Sequence, residues 1–198
     1  IRVYGYDDSV DTLKSSEVRK LSALGLEIIQ DFQGVAEPVV IASPGFPDTH
    51  RAVGYWNKER GVPIYDELDF VSQFVSERII AVTGTNGKST TVTLIGNILK
   101  SAGYRVFIGG NLAPGKPFST ALVMPPRDFY VLEVSSFQLA RSVFLKPRVA
   151  VLLNITDDHI DRHGSFAEYV AAKARIFSRQ GPEDYAVVNY DDPVVYNL

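Results

Sequence analysis

One segment constrains the fold of this chain more than any other. Residues 79–82 are entirely apolar, which is typical of a strand buried on both faces of a sheet. A loop with two glycines follows, and residues 89–100 then carry an apolar stripe at helical spacing. The loop consists of Gly84, Thr85, Asn86, Gly87, Lys88, Ser89 and Thr90, and the stripe of Val92, Ile95, Ile98 and Leu99. Strand, glycine loop and helix in this order are the layout of a phosphate-binding loop.

In a loop of this kind, backbone N–H groups and the helix N-terminus point at phosphate oxygens. Lys88 is expected to supply a positive charge for the β- and γ-phosphates, and the Ser89 hydroxyl can bind a bridging Mg²⁺. The segment departs from the general pattern G-x-x-x-x-G-K-[ST], because Val82 stands at the position of its first glycine. The alternative interpretation is a glycine turn with a surface lysine and an N-capping serine. The strand before the loop and the stripe after it favour the phosphate site.

Strand and helix patterns alternate along the whole chain. Strands are predicted at residues 1–6, 26–29, 38–42, 62–65, 78–83, 104–108, 128–134, 149–153 and 185–189. Helices are predicted at residues 10–24, 49–60, 66–76, 89–100 and 166–177. This alternation predicts an α/β fold with a mainly parallel sheet covered on both faces, and a domain boundary near residue 77.

Composition excludes several classes of protein. The formal net charge of -3 argues against a nucleic-acid partner held by bulk charge. The chain has no cysteine, so a disulfide framework and a thiolate metal site are excluded. No apolar run is long enough for a membrane span, and no secretory signal opens the chain, which favours a cytoplasmic location. The chain begins at Ile1 within a predicted strand, so its natural N-terminus is expected to be missing.

Glu133 stands at the C-terminal end of a predicted apolar strand. A buried carboxylate is costly unless it is paired or bound to a cation, and ligands of α/β sheets bind at strand C-termini. A Mg²⁺ ion held by Ser89 and Glu133 satisfies both conditions. A glutamate at a solvated strand edge is the alternative.

A histidine follows the next predicted strand, in the segment Asn154-Ile155-Thr156-Asp157-Asp158-His159. Histidine binds metals and titrates near neutral pH, although an isolated histidine is more often structural. The position of His159 after a strand and beside carboxylates favours a ligand. His163 lies four residues later, but a zinc pair is disfavoured because no glutamate lies between the two and Gly164 follows.

Lys173 shares a helical face with apolar residues, namely Phe166, Tyr169, Val170 and Phe177. A lysine on such a face can extend its ammonium to solvent. Alternatively, a desolvated lysine loses its proton more easily, and the neutral amine can take up CO₂ to form a carbamate that binds Mg²⁺. Lys173 is 173 − 159 = 14 residues from His159. We therefore expect a carbamylated Lys173 to share a second Mg²⁺ with His159.

Four segments resemble the Mur ligase and folylpolyglutamate synthetase superfamily: residues 84–90, 133–139, 154–159 and 171–175. Residues 133–139 are most similar to the branch that adds D-glutamate. The resemblance implies that Glu133 binds Mg²⁺, that His159 and a carbamylated Lys173 bind a second Mg²⁺, and that Ser135 and Gln138 lie near the UDP-sugar substrate. Asn111, after Gly109-Gly110, matches the family's Gly-Asn pair, whose amide can donate to the acyl-phosphate.

The resemblance also implies two domains. Residues 1–76 resemble part of a Rossmann-like domain that binds the UDP substrate, where Asp7, Ser43, Pro44 and Gly45 lie in strand-end loops. Residues 77–198 resemble most of a P-loop NTPase-like central domain that binds ATP. The family's glycine-rich opening and its C-terminal domain are absent from this sequence, so we expect the chain alone to be inactive in ligation.

The activity implied by the resemblance is ATP-dependent amide bond formation through an acyl-phosphate. The implied substrates are UDP-N-acetylmuramoyl-L-alanine and D-glutamate, and the implied cofactors are ATP and two Mg²⁺ ions. Lys88, Asn111, His159 and Lys173 are the expected catalytic residues, and His159 is also expected near the substrate. A monomer acting in cytoplasmic peptidoglycan precursor synthesis is expected. Two alternatives stay open: a sister amide ligase, and a nucleotide-binding module without ligase chemistry.

Overall fold

The computed structural model describes residues 2–36, 38–43, 46–47, 49–75, 78–158 and 160–198. The chain divides into two compact units. The smaller unit comprises Ile1–Val40 and Asp48–Pro63, and the larger comprises Ile41–Pro47 and Ile64–Leu198. The domain boundary near residue 77 stays a prediction.

The smaller unit begins with a parallel pair of strands, β1 (Val3–Gly5) and β2 (Leu26–Ile28). The single helix predicted between them is wrong, because it is divided into α1 (Val10–Leu13) and α2 (Ser16–Ala23). Ser15 is extended, and its side chain accepts a hydrogen bond from the Val18 N–H, so it caps a new helix instead of continuing the first.

The second helix predicted in the smaller unit is also irregular. The helix predicted at residues 49–60 is a short α3 (Arg51–Val53) that continues as a π-helical segment, Gly54–Glu59. Trp56 is buried in this segment, and the Tyr55 ring packs edge-on against it with centroids 4.9 Å apart. An aromatic pair of this kind contributes beyond its buried area.

The larger unit is built on a five-stranded parallel sheet with the strand order β6-β7-β5-β8-β9. These strands are β5 (Ile79–Thr83), β6 (Val106–Gly110), β7 (Phe129–Glu133), β8 (Val149–Leu152) and β9 (Tyr185–Val188). Two short strands, β3 (Val40–Ile41) and β4 (Ile64–Tyr65), form a separate sheet. The predicted α/β fold with a mainly parallel sheet is confirmed.

Helices follow most of the strands of the large sheet, as parallel crossovers require. The α-helices are α4 (Glu67–Ser72), α5 (Lys88–Ser101), α6 (Ser136–Arg141), α7 (Ile160–His163), α8 (Phe166–Ala174) and α9 (Pro193–Tyr196). Two 3₁₀ helices, Phe118–Val123 and Arg175–Phe177, complete the unit. None of the helices in the described part of the chain has the length and apolar character that crossing a membrane requires.

Both faces of the sheet are covered, which explains the unbroken apolar run of β5. Ile79 and Ala81 pack in a core cluster with Leu68 and Val71 of α4. Ile80 and Val82 point to the opposite face and pack with Val92 and other residues of α5. Every residue of β5 is buried.

The register of the strands brings their carboxyl ends to one edge of the sheet. Glu133 at the end of β7 is the register partner of Val82 in β5 and of Gly110 in β6. Thr83, the last residue of β5, is the partner of Leu152 in β8. The loops after these four strands therefore meet at the edge where α/β sheets place ligands.

Candidate phosphate and metal site

The loop between β5 and α5 has the backbone that phosphate binding requires. Gly87 has φ +85°, caps the N-terminus of α5, and leaves the first turn without a side-chain cap. Gly84 has φ +154°, and a Cβ at this position would lie 3.0 Å from the Leu153 Cβ. Both conformations favour glycine. The uncapped N–H groups of a 14-residue helix are free to bind an anion at exposed Ser89 and Thr90.

Asn154 fixes the shape of the phosphate loop from the end of the neighbouring strand. Its carbonyl accepts a 2.9 Å hydrogen bond from the Thr85 N–H. Its side-chain Oδ1 accepts a 2.8 Å bond from the Asn86 N–H, and its Nδ2 donates a 3.1 Å bond to the Asn86 carbonyl. No role was predicted for Asn154 from the sequence. Its position two residues after β8, the neighbour of β5, is the signal that could have identified it.

Thr85 connects the phosphate loop to two further segments. Its Oγ1 accepts a 3.0 Å hydrogen bond from the Thr156 N–H and lies 3.1 Å from the Tyr169 hydroxyl. Tyr169 was predicted only as part of an apolar stripe, and the ring is indeed buried, at 1% exposure. Its hydroxyl adds a polar contact that holds α8 against the loop.

Ser89 and Glu133 are in contact beside the loop, while the Lys88 side chain bonds within the loop. The Lys88 ammonium donates a 2.9 Å hydrogen bond to the Thr85 carbonyl. The Ser89 hydroxyl donates a 2.6 Å bond to Oε2 of Glu133, whose side chain is almost fully buried. A buried carboxylate beside a hydroxyl is a hard oxygen donor set of the kind that Mg²⁺ prefers.

Asn111 joins this cluster through both its backbone and its side chain. Its N–H donates a 2.9 Å bond to the Glu133 carbonyl, and its Nδ2 donates a 3.2 Å bond to Oε1 of the same residue. Gly110 makes the approach possible with φ +88°, because a Cβ there would lie 2.4 Å from the Glu133 carbonyl oxygen. Asn111 therefore contacts the same carboxylate as Ser89, and its role in catalysis stays a prediction.

Lys173 approaches the opposite side of the loop. Its ammonium donates a 2.8 Å bond to the Gly84 carbonyl and lies 4.6 Å from the centroid of the Tyr169 ring. The side chain is 2% exposed, so the alternative in which the ammonium extends to solvent is wrong. Burial, followed by the charge of Lys88, lowers the pKa of Lys173 to about 7.

The part of the chain that contains this site also matches a known family. Residues 82–198 match the family described as the Mur ligase middle domain. The chain belongs to the Mur ligase family. This Mur ligase chain is 45% identical over 187 residues to UDP-N-acetylmuramoylalanine–D-glutamate ligase of Pelotomaculum thermopropionicum, an alignment that covers 92% of the chain and 40% of that protein. It is 42% identical over 186 residues to the enzyme of the same name from Geobacter metallireducens, covering 91% of the chain and 40% of that protein.

The Mur ligase chain thus spans about 40% of the length of these curated relatives. Among solved structures, it is similar to UDP-N-acetylmuramate:L-alanyl-γ-D-glutamyl-meso-diaminopimelate ligase from Neisseria meningitides, with a TM-score of 0.61 and 21% identity over 98% of the chain and 65% of that protein. It is also similar to the MurF ligase of Thermotoga maritima in complex with ADP, with a TM-score of 0.53 and 21% identity over 85% of the chain and 47% of that protein. These two likenesses support the fold, including the predicted P-loop-like central domain.

Ser135 and Gln138, predicted near the substrate, form the N-terminal cap of α6 in this Mur ligase. The Ser135 side chain accepts a 3.2 Å bond from the Gln138 N–H, and the Gln138 Oε1 accepts a 3.0 Å bond from the Ser135 N–H. This reciprocal capping box stabilises the helix start without any ligand. Their role in substrate binding stays a prediction.

Several other predicted positions do not join the described cluster. His159, Pro44 and Gly45 lie outside the residues that the structure describes. Ser43 is exposed in the larger unit, and its carbonyl accepts a 2.9 Å bond from the Phe46 N–H. Asp7 belongs to the smaller unit, where its Oδ1 accepts a 2.7 Å bond from the Ser9 N–H. The disfavoured zinc pair of His159 and His163 stays untested, although the Nε2 of His163 lies 2.9 Å from the Ser136 hydroxyl.

Proposed function

We propose that the protein carrying this chain adds D-glutamate to UDP-N-acetylmuramoyl-L-alanine with consumption of ATP. The geometric observation that supports the use of ATP most directly is the 2.6 Å contact between Ser89 and Glu133 beside the uncapped N-terminus of α5. Two relatives at 42–45% identity carry the name of this activity. The reaction would serve cytoplasmic peptidoglycan precursor synthesis, and the protein would act as a monomer.

The reaction has two steps in this proposal. The substrate carboxylate attacks the γ-phosphorus of ATP, which gives an acyl-phosphate and ADP. The amino group of D-glutamate then attacks the acyl carbon, and inorganic phosphate leaves. Such chemistry depends mainly on positioning and on neutralisation of charge. The loop amides and the Lys88 ammonium would hold the phosphates, while the Asn111 amide would donate to the oxygen that gains charge during attack.

The first Mg²⁺ would be held by Ser89 and Glu133. These two residues fit the ion, because the buried carboxylate and the hydroxyl already lie within hydrogen-bond distance at the tip of the phosphate loop. When bound, Mg²⁺ lowers the repulsion between the anionic carboxylate and the anionic phosphate. Asn111 keeps the Glu133 carboxylate oriented through its 3.2 Å bond to Oε1.

The second Mg²⁺ would be held by His159 and Lys173. An ammonium cannot ligate a cation, but a carbamate can. A carbamate at Lys173 would supply an anionic oxygen ligand beside the phosphate loop, where the charge of Asp158 also acts on Lys173. The pKa of about 7 supports this modification, because it leaves much of the amine neutral near physiological pH.

The decisive experiment is a ligation assay with the whole protein. Phosphate release should require both UDP-N-acetylmuramoyl-L-alanine and D-glutamate, and replacement of D-glutamate by L-alanine, L-lysine or meso-diaminopimelate should abolish it. Release with one of these other amino acids would instead identify a sister amide ligase. Nucleotide binding without release under any combination would identify a binding module. The 198-residue chain alone should bind ADP without catalysing ligation.

A further inference from the structure

An opening lies at the amino-terminal edge of the large sheet, away from the phosphate site. It encloses about 580 Å³, and all of its lining residues belong to the larger unit. Three arginines of its wall precede three adjacent strands: Arg78 before β5, Arg105 before β6 and Arg127 before β7. The volume lies within the range of small-molecule sites, about 300–1,000 Å³.

Among the residues that the structure describes, Arg105 is the one of the three arginines that forms an ion pair with a carboxylate. The Arg105 guanidinium donates to both oxygens of Asp128, at 3.2 Å from Nε and 2.9 Å from a terminal nitrogen. This pairing, with a smaller contribution from the charge of Arg78, lowers the pKa of Asp128 to about 2. The described lining residues thus include three arginines and one carboxylate, which is an excess of positive charge, although the chain as a whole carries a net charge of -3.

Arg127 has an unsatisfied donor at this opening. Its Nε is buried and has no hydrogen-bond partner within the part of the chain that the structure describes. Its backbone N–H donates a 3.1 Å bond to the Tyr130 hydroxyl, which fixes the main chain beside the opening. A buried donor without a partner is unfavourable, and it adds to the uncompensated positive character of this wall.

The remaining wall is apolar. Phe74 and Leu122 line the opening and are 64% and 43% exposed, and Ala121 and Met124 lie beside them. Tyr130 lines the opening with a ring that is 7% exposed. A cationic side and an apolar side facing one space match a ligand that has a charged head and an apolar body.

We propose that this opening is a binding site for small amphiphilic anions, with a carboxylate or phosphate head at Arg78 and Arg127 and an aromatic or aliphatic body against Phe74 and Leu122. Guanidinium groups present planar pairs of N–H donors that suit carboxylate and phosphate oxygens. The site is separate from the proposed ligation chemistry, because β5 and β7, each five residues or about 17 Å long, place it at the opposite edge of the sheet.

The test measures binding of two probes, 3-phenylpropionate and phenyl phosphate, to the whole protein by ligand-observed NMR and calorimetry. Both probes should bind with saturable affinity in the presence of excess ADP and Mg²⁺. Displacement of a probe by ADP would place it in the phosphate loop and overturn the assignment for that probe. 3-Phenylpropanol, which lacks the anionic head, and inorganic phosphate, which lacks the body, should each bind at least about 10-fold more weakly. Binding of 3-phenylpropanol as tight as that of the acid would contradict the role of the arginines.

Three variants and one control variant test how much each charged residue contributes to binding. Arg78→Gln and Arg127→Gln should each weaken the binding of both probes about 10-fold, as expected for loss of a charge-assisted hydrogen bond. Asp128→Asn should tighten binding by about 3-fold or more, because it frees the Arg105 charge. Arg60→Gln, an equal change of charge at an exposed site in the smaller unit, should have no effect. Equal weakening by Arg60→Gln and Arg78→Gln, or no effect of Arg78→Gln, would overturn the proposal even if Arg127→Gln failed to fold.

Discussion

The Lys173 ammonium donates a 2.8 Å hydrogen bond to the carbonyl of Gly84, the residue with which the phosphate loop begins. This contact joins α8 to the end of β5 across 89 positions of sequence. The lysine is almost fully buried, and the nearby charge of Lys88 disfavours a second cation. Both effects favour the neutral amine, the form that reacts with CO₂.

Lys173 should carry a carbamate when CO₂ is present. At about pH 8 a group with a pKa of about 7 is neutral in roughly nine of ten molecules, so the amine is available. Incubation with ¹³C-bicarbonate should give one protein-bound carbamate signal in the ¹³C NMR spectrum. Lys173→Arg should remove that signal, and Lys100→Arg, at an exposed position of α5, should retain it. A signal that survives Lys173→Arg would place the modification elsewhere.

Ser89 and Glu133 should act as one unit in the Mg²⁺ dependence of the reaction. Ser89→Ala and Glu133→Gln each remove one of two groups that lie 2.6 Å apart, so their effects should not add. We expect each single variant to raise the Mg²⁺ concentration needed for half-maximal rate by about 10-fold or more, with a coupling of about 1 kcal/mol or more in the double variant. Titration of Mg²⁺ at saturating ATP provides the measurement.

Ser101→Ala, at the far end of α5, is the matched control for this cycle. It removes the same hydroxyl from the same helix and should leave the Mg²⁺ dependence unchanged. Strict additivity of Ser89→Ala and Glu133→Gln would mean that the two side chains do not share an ion.

The sequence predicted the residues at the centre of the site better than the residues that hold the phosphate loop in place. Lys88, Ser89 and Glu133 could be placed because a buried strand fixes which residues emerge at its carboxyl end. Asn154 and the Tyr169 hydroxyl were missed because their contacts with the loop depend on the order of the strands and on the packing of α8. Local periodicity carries no information on either.

Short helices were the other source of error in the secondary structure predicted from the sequence. The helix α6 was not predicted, because it has only six residues and its start depends on the capping box of Ser135 and Gln138. The division of the first predicted helix depends on a similar cap at Ser15. In both cases a side-chain hydrogen bond to the backbone decides the structure over a span too short for an apolar stripe to be recognised.

Asp66 should make the protein less stable as the pH rises through about 6. This residue is fully buried at the start of α4, where its Oδ1 accepts a 2.8 Å bond from the Asp69 N–H. Burial raises the pKa of Asp66 from 3.8 to about 6, despite that bond. The folded state therefore binds a proton more tightly than the unfolded state, so its stabilising effect is complete below about pH 4 and is lost as the pH rises through about 6.

Asp66→Asn should remove this pH dependence while preserving the helix cap, because asparagine also accepts at an N-cap. The free energy of unfolding of the variant should exceed that of the unmodified protein at about pH 8, by up to about 3 kcal/mol, and the difference should shrink towards pH 4. Urea unfolding at several pH values measures it. Asp184→Asn is a control of opposite sign, because hydrogen bonding by the Gly181 N–H lowers the pKa of that carboxyl. A constant difference for Asp66→Asn across the pH range would contradict the assignment.

Gly110→Ala should slow catalysis for a reason that does not apply to Gly103→Ala. The two glycines have nearly identical φ angles, +88° and +89°, so replacement by alanine imposes the same local strain, about 1 kcal/mol, at each. At Gly103 the new Cβ meets nothing within 4 Å, whereas at Gly110 it would lie 2.4 Å from the Glu133 carbonyl oxygen. Only Gly110→Ala must therefore displace the strand end that carries the Glu133 carboxylate.

Gly103→Ala should accordingly lose about 1 kcal/mol of stability with unchanged turnover. Gly110→Ala should lower kcat by about 10-fold or more and weaken the response to Mg²⁺, because a small misplacement of a metal ligand is enough to slow a positioned reaction. Steady-state kinetics and urea unfolding of both variants separate strain from displacement. If Gly110→Ala kept full turnover while losing the same stability as Gly103→Ala, the close approach of Gly110 to Glu133 would have no part in catalysis.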